Sequence, residues 1–257
     1  WKKNLSHRPP QSASRGTLPA ILTTKRIDRI KLMNKICLIF LILYGVNTTA
    51  QIKVDSIRFR HAQKAPKTLD VKYLARFLKA GAKSEEKTVE TFFYWIHQNI
   101  EYDYELSKKQ EISEEDTSVK RTLETKKTVC DGYSKLFLEL CQAVKIECVR
   151  IEGIALIGDE TEGQLHAWNA VKIKERWHLV DTTWGSGGSF LPDTYEKFLN
   201  LKYLFGEPDY FIITHFPSES EWQLLEKTIT KDEFSSTLWI EKRKIISEES
   251  SIELKEE

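Results

Sequence analysis

Residues 128–141 read TVCDGYSKLFLELC. Counting from Tyr133, apolar residues recur at Leu136, Phe137, Leu140, Cys141 and Val144, the i, i+3, i+4, i+7 spacing of one buried helical stripe. The pattern predicts a helix of about four turns that begins at Cys130. A thiol at a helix N-terminus meets backbone N–H groups with no partner inside the helix, and it lies at the positive end of the helix dipole. Both favour thiolate, the nucleophilic form. The same N–H groups can receive an oxyanion that develops beside the sulfur. Gly132 keeps the first turn clear of a side chain. Taken alone, such a cysteine is more often a packed structural thiol, so its neighbours must decide.

Downstream, residues 146–157 alternate in the manner of a strand, and residues 158–163 read as a loop. HAWNAVKI at 166–173 and RWHLVD at 176–181 then form the two arms of a β-hairpin. A turn centred between Ile173 and Lys174 sets His166 opposite Asp181, Trp168 opposite Leu179, Ala170 opposite Trp177 and Lys172 opposite Glu175. That register gives a charge pair beside the turn and an apolar middle. Slipping the arms by two residues leaves His166 and Asp181 as diagonal neighbours on one face. A carboxylate on one imidazole nitrogen fixes the tautomer and turns the other nitrogen toward a nucleophile. Without a cysteine nearby, the pair would read as a surface ion pair that merely supports a hairpin. With Cys130, it makes a Cys–His–Asp set suited to acyl transfer through a thioester.

Upstream, Val71, Leu74, Phe77 and Leu78 share a helical face over 70–80, with Gly81 as its stop. Ser84-Glu85-Glu86 caps a second helix carrying Val89, Phe92, Phe93, Ile96 and Ile100. Tyr102 and Asp103 close its end. Residues 107–127 are nearly all polar, with Val119 and Leu123 able to anchor one short helix; the excursion is placed where a loop could cover a cleft.

The net charge of +1 conceals a split. Residues 1–32 hold eight Lys/Arg against Asp28, whereas residues 51–257 carry a net charge of −7. The body has no basic stripe, so nucleic acid is not an expected partner. Met33 opens MNKICLIFLILYGVNTTA, a basic start followed by an apolar run from Ile36 to Val46. It has the layout of a signal peptide cleaved near Ala50, and it is too short for a stable membrane anchor. The expected localisation is therefore secreted or periplasmic. After that cleavage Cys130, Cys141 and Cys148 remain, an odd number, which leaves at least one thiol free. There is no C-x-x-C pair and no zinc spacing, so no metal or cofactor is expected.

The motifs TVCDGYSKLFLELC, HAWNAVKIKERWHLVDTTWGSG, WIHQNIEYD and YLFGEPDYFIITHFPSESEWQLL resemble the transglutaminase-like superfamily. They are most similar to the branch that includes the kyphoscoliosis peptidase and the cytokinesis proteins. The resemblance spans about residues 84–235. It implies an α+β, papain-like transglutaminase core in which the nucleophile helix packs on an antiparallel β-sheet. It also implies catalytic Cys130, His166 and Asp181, in agreement with the hairpin argument. Some cytokinesis relatives lack the cysteine and act as scaffolds. The acids show no calcium-ligand spacing, so the calcium dependence of animal transglutaminases is not carried over.

The expected organisation is a disordered leader (1–32), a signal peptide (33–50), an extended lead-in (51–67), one transglutaminase-like domain (68–240) and a charged tail (241–257). The expected activity is that of an exported cysteine peptidase or amidase acting on a peptide or protein. The alternatives are a protein-crosslinking enzyme with an amine acceptor and a non-catalytic peptide-binding scaffold. Trp95, Trp168 and Trp184 are candidates for cleft walls, although aromatics at such spacings also serve as core. His97 and His215 have no partner legible in the sequence, His61 lies in the lead-in, and the oligomeric state is left open.

Overall fold

The computed structural model describes residues 53–156, 163–188, 195–236 and Trp239. The expected leader, signal peptide and charged tail lie outside the described residues. So do most of the loop after residue 156 and residues 189–194.

Three helices come first: α1 (Ser56–Gln63), α2 (Val71–Lys79) and α3 (Glu85–Asn99). The first corrects the expectation of an extended lead-in. Asp55 caps α1 by accepting from the backbone N–H groups of Ile57 and Arg58. The inward positions of α1 are Arg58 and Ala62, not two large apolar residues. Arg58 is buried because its guanidinium is consumed: Nε donates to Thr91 Oγ1 at 2.7 Å, Nη1 to Ala80 O at 3.0 Å and Nη2 to Leu78 O at 2.5 Å. It thereby satisfies carbonyls at the end of α2 that the helix leaves without partners. An arginine on the buried face erases the apolar periodicity by which a helix is read. The other two helices follow the sequence closely, with Asp70 capping α2 and Ser84 capping α3.

Strand β1 (Glu101–Tyr102), the short helix α4 (Tyr104–Ser107), α5 (Val119–Thr125) and β2 (Lys127–Thr128) come next. β1 and β2 pair in parallel, with Tyr102 beside Thr128. This pairing delivers the chain to α6 (Cys130–Ala143). The expected stripe of α6 is its buried face: Tyr133, Leu136, Phe137, Leu140 and Cys141 are all fully buried. Each large apolar side chain among them contributes about 1.5–3 kcal/mol relative to solvent exposure. Gly132 is required by close packing: a Cβ there would stand 1.9 Å from Thr128 Oγ1.

A five-stranded antiparallel sheet follows, built from β3 (Cys148–Ala155), β4 (Gln164–Ile173), β5 (Arg176–Val180), β6 (Leu204–Gly206) and β7 (His215–Pro217). Its strand order is β6-β5-β4-β3-β7. The segment α7 (Pro208–Thr214) leads into β7, and α8 (Lys231–Phe234) is the last named element among the described residues. Asn169 and Arg150 face α6, where they bond to Ser134. Trp168 and Leu179 face the opposite side, toward Phe211 and Trp222. Helix α6 thus packs on one face of an antiparallel sheet, in an α+β fold.

The β4–β5 register differs from the expected one by two residues. Asn169 faces Val180, and Ile173 faces Arg176. The turn is the pair Lys174-Glu175, both at positive φ (49° and 62°). Two residues at positive φ match the twist of the flanking strands, and this requirement prevails although neither residue is glycine or asparagine. The Lys172–Glu175 ion pair still forms, at 3.0 Å, but it spans the turn instead of sitting directly opposite.

Gly153 lies across from His166 in the β3–β4 ladder. A Cβ there would approach Phe216 O to 2.3 Å and the Trp168 ring to 2.6 Å. Gly153→Ala is expected to destabilise the fold by about 1–3 kcal/mol through overpacking, read as a lower urea midpoint with an unchanged m-value.

Candidate active site

The site lies where β5 ends and β4 continues. β5 pairs with β4 only over Asn169–Ile173, so the start of β4 is open on that side. Cys130, at the head of α6, fills the opening. Its helix has Val129 at the N-cap position with no side-chain cap, so no polar side chain competes for the first N–H groups. Cys130 is a free, partly exposed thiol that interacts with the His166 ring and the Ala167 backbone.

His166 Nε2 lies 2.8 Å from Asp181 Oδ2. The shifted register makes these two the diagonal neighbours that a two-residue slip leaves on one face. Because Nε2 is taken by Asp181, Nδ1 is the nitrogen left for Cys130. Asp181 follows directly after β5, where its backbone N–H bonds to Tyr203 O at 2.9 Å. Its Oδ1 accepts from the N–H groups of Thr183 (2.8 Å) and Trp184 (3.2 Å). The TTWGSG segment therefore forms a turn around the carboxylate.

Burial pushes the Cys130 thiol up, but its hydrogen bond to His166, the charge on His166 and the Ala167 backbone outweigh this, so its pKa is lowered. Burial likewise opposes charge on His166, yet Asp181 and Cys130 raise it to about 10. Asp181 is held far below the usual carboxylate range, because both histidines outweigh its burial. The three shifts agree on one state, a Cys130 thiolate beside a His166 imidazolium that is braced by the Asp181 carboxylate. Cys141 is fully buried, and its thiol is pushed up by desolvation and then by the Cys148 thiol. The electrostatics thus single out Cys130.

Asp131, next in sequence, puts a carboxylate near the Cys130 thiol. It is offset by Arg150 and by Lys135 Nζ at 2.7 Å. Thr117 Oγ1 adds a bond of 2.5 Å to Asp131 Oδ2. Through Thr117, the polar excursion 107–127 is strapped to the first turn of α6.

Of the three tryptophans, Trp95 belongs to the core, 2% exposed, with the Lys126 ammonium 5.2 Å over its ring. Trp168 stacks on His166 at 5.9 Å but is itself buried. Trp184 packs on His166 at 5.5 Å and is partly exposed, so among the three it suits a cleft wall. Asn169 faces α6, opposite to His166, and bonds to the carbonyls of Ser134 and Val149.

His215 was not legible as a site residue. Its Nε2 lies 3.1 Å from the same Asp181 Oδ2 that holds His166. The pairing joins residues 34 apart in sequence through a three-residue strand, and no local motif announces it. The ligand atoms of His166, Asp181 and His215 lie within 4.8 Å of one another, close enough to hold a metal ion. Both histidines direct Nε2 at the same carboxylate oxygen of Asp181. Among the described residues, no helix is long and apolar enough to cross a membrane.

Residues 72–182 match the family model of the Transglutaminase-like superfamily, a span that contains Cys130, His166 and Asp181. The kyphoscoliosis peptidase of Mus musculus is 36% identical over 167 residues, which is 62% of this chain and 25% of that protein. Hillarin of Drosophila melanogaster is 27% identical over 124 residues, covering 41% of this chain and 15% of that protein. The chain thus spans about a quarter or less of these curated relatives. A solved structure described as a TGase shares 20% identity at a TM-score of 0.38, covering 60% of this chain and 39% of its own.

Proposed function

We infer that the transglutaminase-like domain over residues 72–182 houses a cysteine acyl-transfer centre that cleaves amide bonds, with Cys130 as nucleophile, His166 as acid and base, and Asp181 as its orienting carboxylate. The observation that carries this reading is the 2.8 Å bond from His166 Nε2 to Asp181 Oδ2, which leaves the other ring nitrogen for a thiol at an uncapped helix start.

The roles follow from charge. The thiolate attacks the amide carbon, forming C–S and placing negative charge on the carbonyl oxygen. The N–H groups at the head of α6 are available to that oxygen. As the C–N bond breaks, the His166 imidazolium gives its proton to the leaving nitrogen. The thioester that results carries no charge on sulfur. One of the interactions that raised His166 to about 10 is then gone, which lets the ring act as a base at neutral pH. It takes a proton from water, which attacks the thioester carbon. The C–S bond breaks, the acid leaves, and thiolate and imidazolium are restored. An amine in place of water gives transamidation by the same steps. The export proposal rests on the sequence of 33–50 alone, and the substrate is proposed as a peptide or protein.

The test is competitive alkylation with intact-mass detection. Cys130 should be modified well before Cys141 and Cys148 at pH 7. The ratio of iodoacetate to iodoacetamide rates should fall near pH 10, where the imidazolium that attracts the anionic reagent loses its proton. Equal labelling of the three thiols in the folded protein would sink the reading.

A further inference from the structure

Asp181 Oδ2 is shared. It receives His166 Nε2 at 2.8 Å and His215 Nε2 at 3.1 Å. His215 is 1% exposed, and its ring is caged by Trp184 at 4.4 Å, Phe211 at 4.9 Å, Trp168 at 5.1 Å, His166 at 5.3 Å and Tyr203 at 5.8 Å. In such a cage a phenylalanine would fill the volume without the cost of desolvating an imidazole. The polar ring must therefore be held by its two nitrogens, and both are engaged. Nδ1 lies 2.8 Å from Thr214 Oγ1, and Nε2 meets the carboxylate.

The short contacts on the two ring nitrogens favour one donor and acceptor assignment. Burial lowers the His215 pKa despite Asp181, so the ring is neutral and carries one N–H. A lone pair on Nε2 facing an anionic oxygen would be repulsive, so the proton sits on Nε2. Nδ1 is then an acceptor, and the Thr214 hydroxyl donates to it. The chain reads Thr214 Oγ1–H to His215 Nδ1, and His215 Nε2–H to Asp181 Oδ2. With the amides of Thr183 and Trp184 on Oδ1, the carboxylate has a donor on every side and cannot rotate off His166.

We propose that His215, its proton held on Nε2 by Asp181 and its Nδ1 met by Thr214, is a positioning residue for the acyl-transfer centre: it pins the Asp181 carboxylate and takes up part of the charge that Asp181 presents to His166. This deepens the proposed function and rests on it. A cysteine enzyme of this kind needs an imidazole that is protonated in the resting state but can become a base after acylation. An unshared buried carboxylate would hold the proton too tightly. A second neutral donor on the same oxygen moderates that grip without adding charge. The ionisable groups facing this pair are Cys130, Asp181, Tyr195 and Tyr203, and both tyrosines are neutral at working pH because burial raises them.

The experiment compares His215→Leu, which removes the donor, with His215→Gln, whose side-chain amide reaches the same oxygen. The readout is the pH profile of Cys130 alkylation in the full chain, with folding checked by thermal melting. His215→Leu should slow alkylation at pH 7 about tenfold, the usual range for lost support of a site residue. It should also move the alkaline limb upward by about half a pH unit or more, because the full charge of Oδ2 then falls on His166. His215→Gln should keep the wild-type limb. A folded His215→Leu protein with the wild-type rate and limb would overturn the inference. Should His215→Leu fail to fold, His215→Phe serves: it keeps the ring's volume but removes the donor, and an unmoved limb there is equally fatal. If wild-type Cys130 itself reacts no faster than Cys141, the acyl-transfer reading fails first. If wild type is reactive and removing the donor at His215 changes nothing, only the positioning role fails.

Discussion

Replacing Cys130 with serine is expected to abolish covalent intermediate formation and to lower amide turnover by about four orders of magnitude or more. The size of the effect follows from the protonation state of the centre. His166 is raised to about 10, so at pH 7 it already holds a proton and cannot serve as the first base. That is no obstacle for cysteine, whose proton the histidine has already accepted in the resting protein. A serine hydroxyl, which ionises only at far higher pH, would need a free base that the site does not offer. The loss of sulfur also removes one of the groups that raises His166, so the His166 pKa should fall toward the usual range for histidine. Two measurements check this: intact-mass detection of an acyl adduct after exposure to peptide and glutamine donors, and an NMR titration of His166 in both proteins. A serine variant that still turns over at more than about a hundredth of the wild-type rate would mean that Cys130 is not the nucleophile.

The parts of this fold legible in the sequence were those whose cause is local. The α6 stripe needs only helical spacing, and the Ser84 cap of α3 needs only adjacent residues. Three features escaped because their cause lies elsewhere in the chain. α1 carries Arg58 on its buried face, and that residue is tolerated only because Leu78, Ala80 and Thr91 supply acceptors. The hairpin register looked settled by a Lys172–Glu175 pairing. Exposed ion pairs are weak, however, and the backbone twist of a two-residue turn decides register more strongly. The candidate pair survived the error because a two-residue slip preserves side-chain facing. His215 needed β7 to pair with β3 before its ring could reach Asp181, a contact no periodicity encodes. Trp95 sits at helical spacing and proved to be core, covered by Lys126.

Asp181→Asn is expected to be nearly as damaging as loss of the thiol, with turnover down on the order of 10³–10⁴-fold, although the side chain keeps its shape. Thr183 and Trp184 donate backbone N–H bonds to Oδ1, and this pair forces the asparagine carbonyl into the Oδ1 place. Its amide nitrogen then stands where Oδ2 was, pointing N–H groups at His166 Nε2 and His215 Nε2, which were both donors. His166 relieves the clash by becoming neutral with its proton on Nδ1, the nitrogen facing Cys130. The imidazolium is lost, and with it the main influence that lowers the thiol. Cys130 alkylation at pH 7 should slow by about tenfold or more and recover as the pH rises, because a free thiol ionises near 8.5. Stability offers an independent check. His166 has a folded pKa above its unfolded value, so its contribution is complete below about 6.5 and fades as the pH rises through about 10. The lowered Cys130 pKa works the other way until the unfolded thiol ionises near about 8.5, so wild type should lose stability through this centre between about pH 8.5 and about pH 10, and Asp181→Asn should lose less, because its histidine has no raised pKa to give up. An asparagine variant with the wild-type alkylation profile and the wild-type slope of stability over that range would show that Asp181 neither holds the imidazolium nor creates the thiolate.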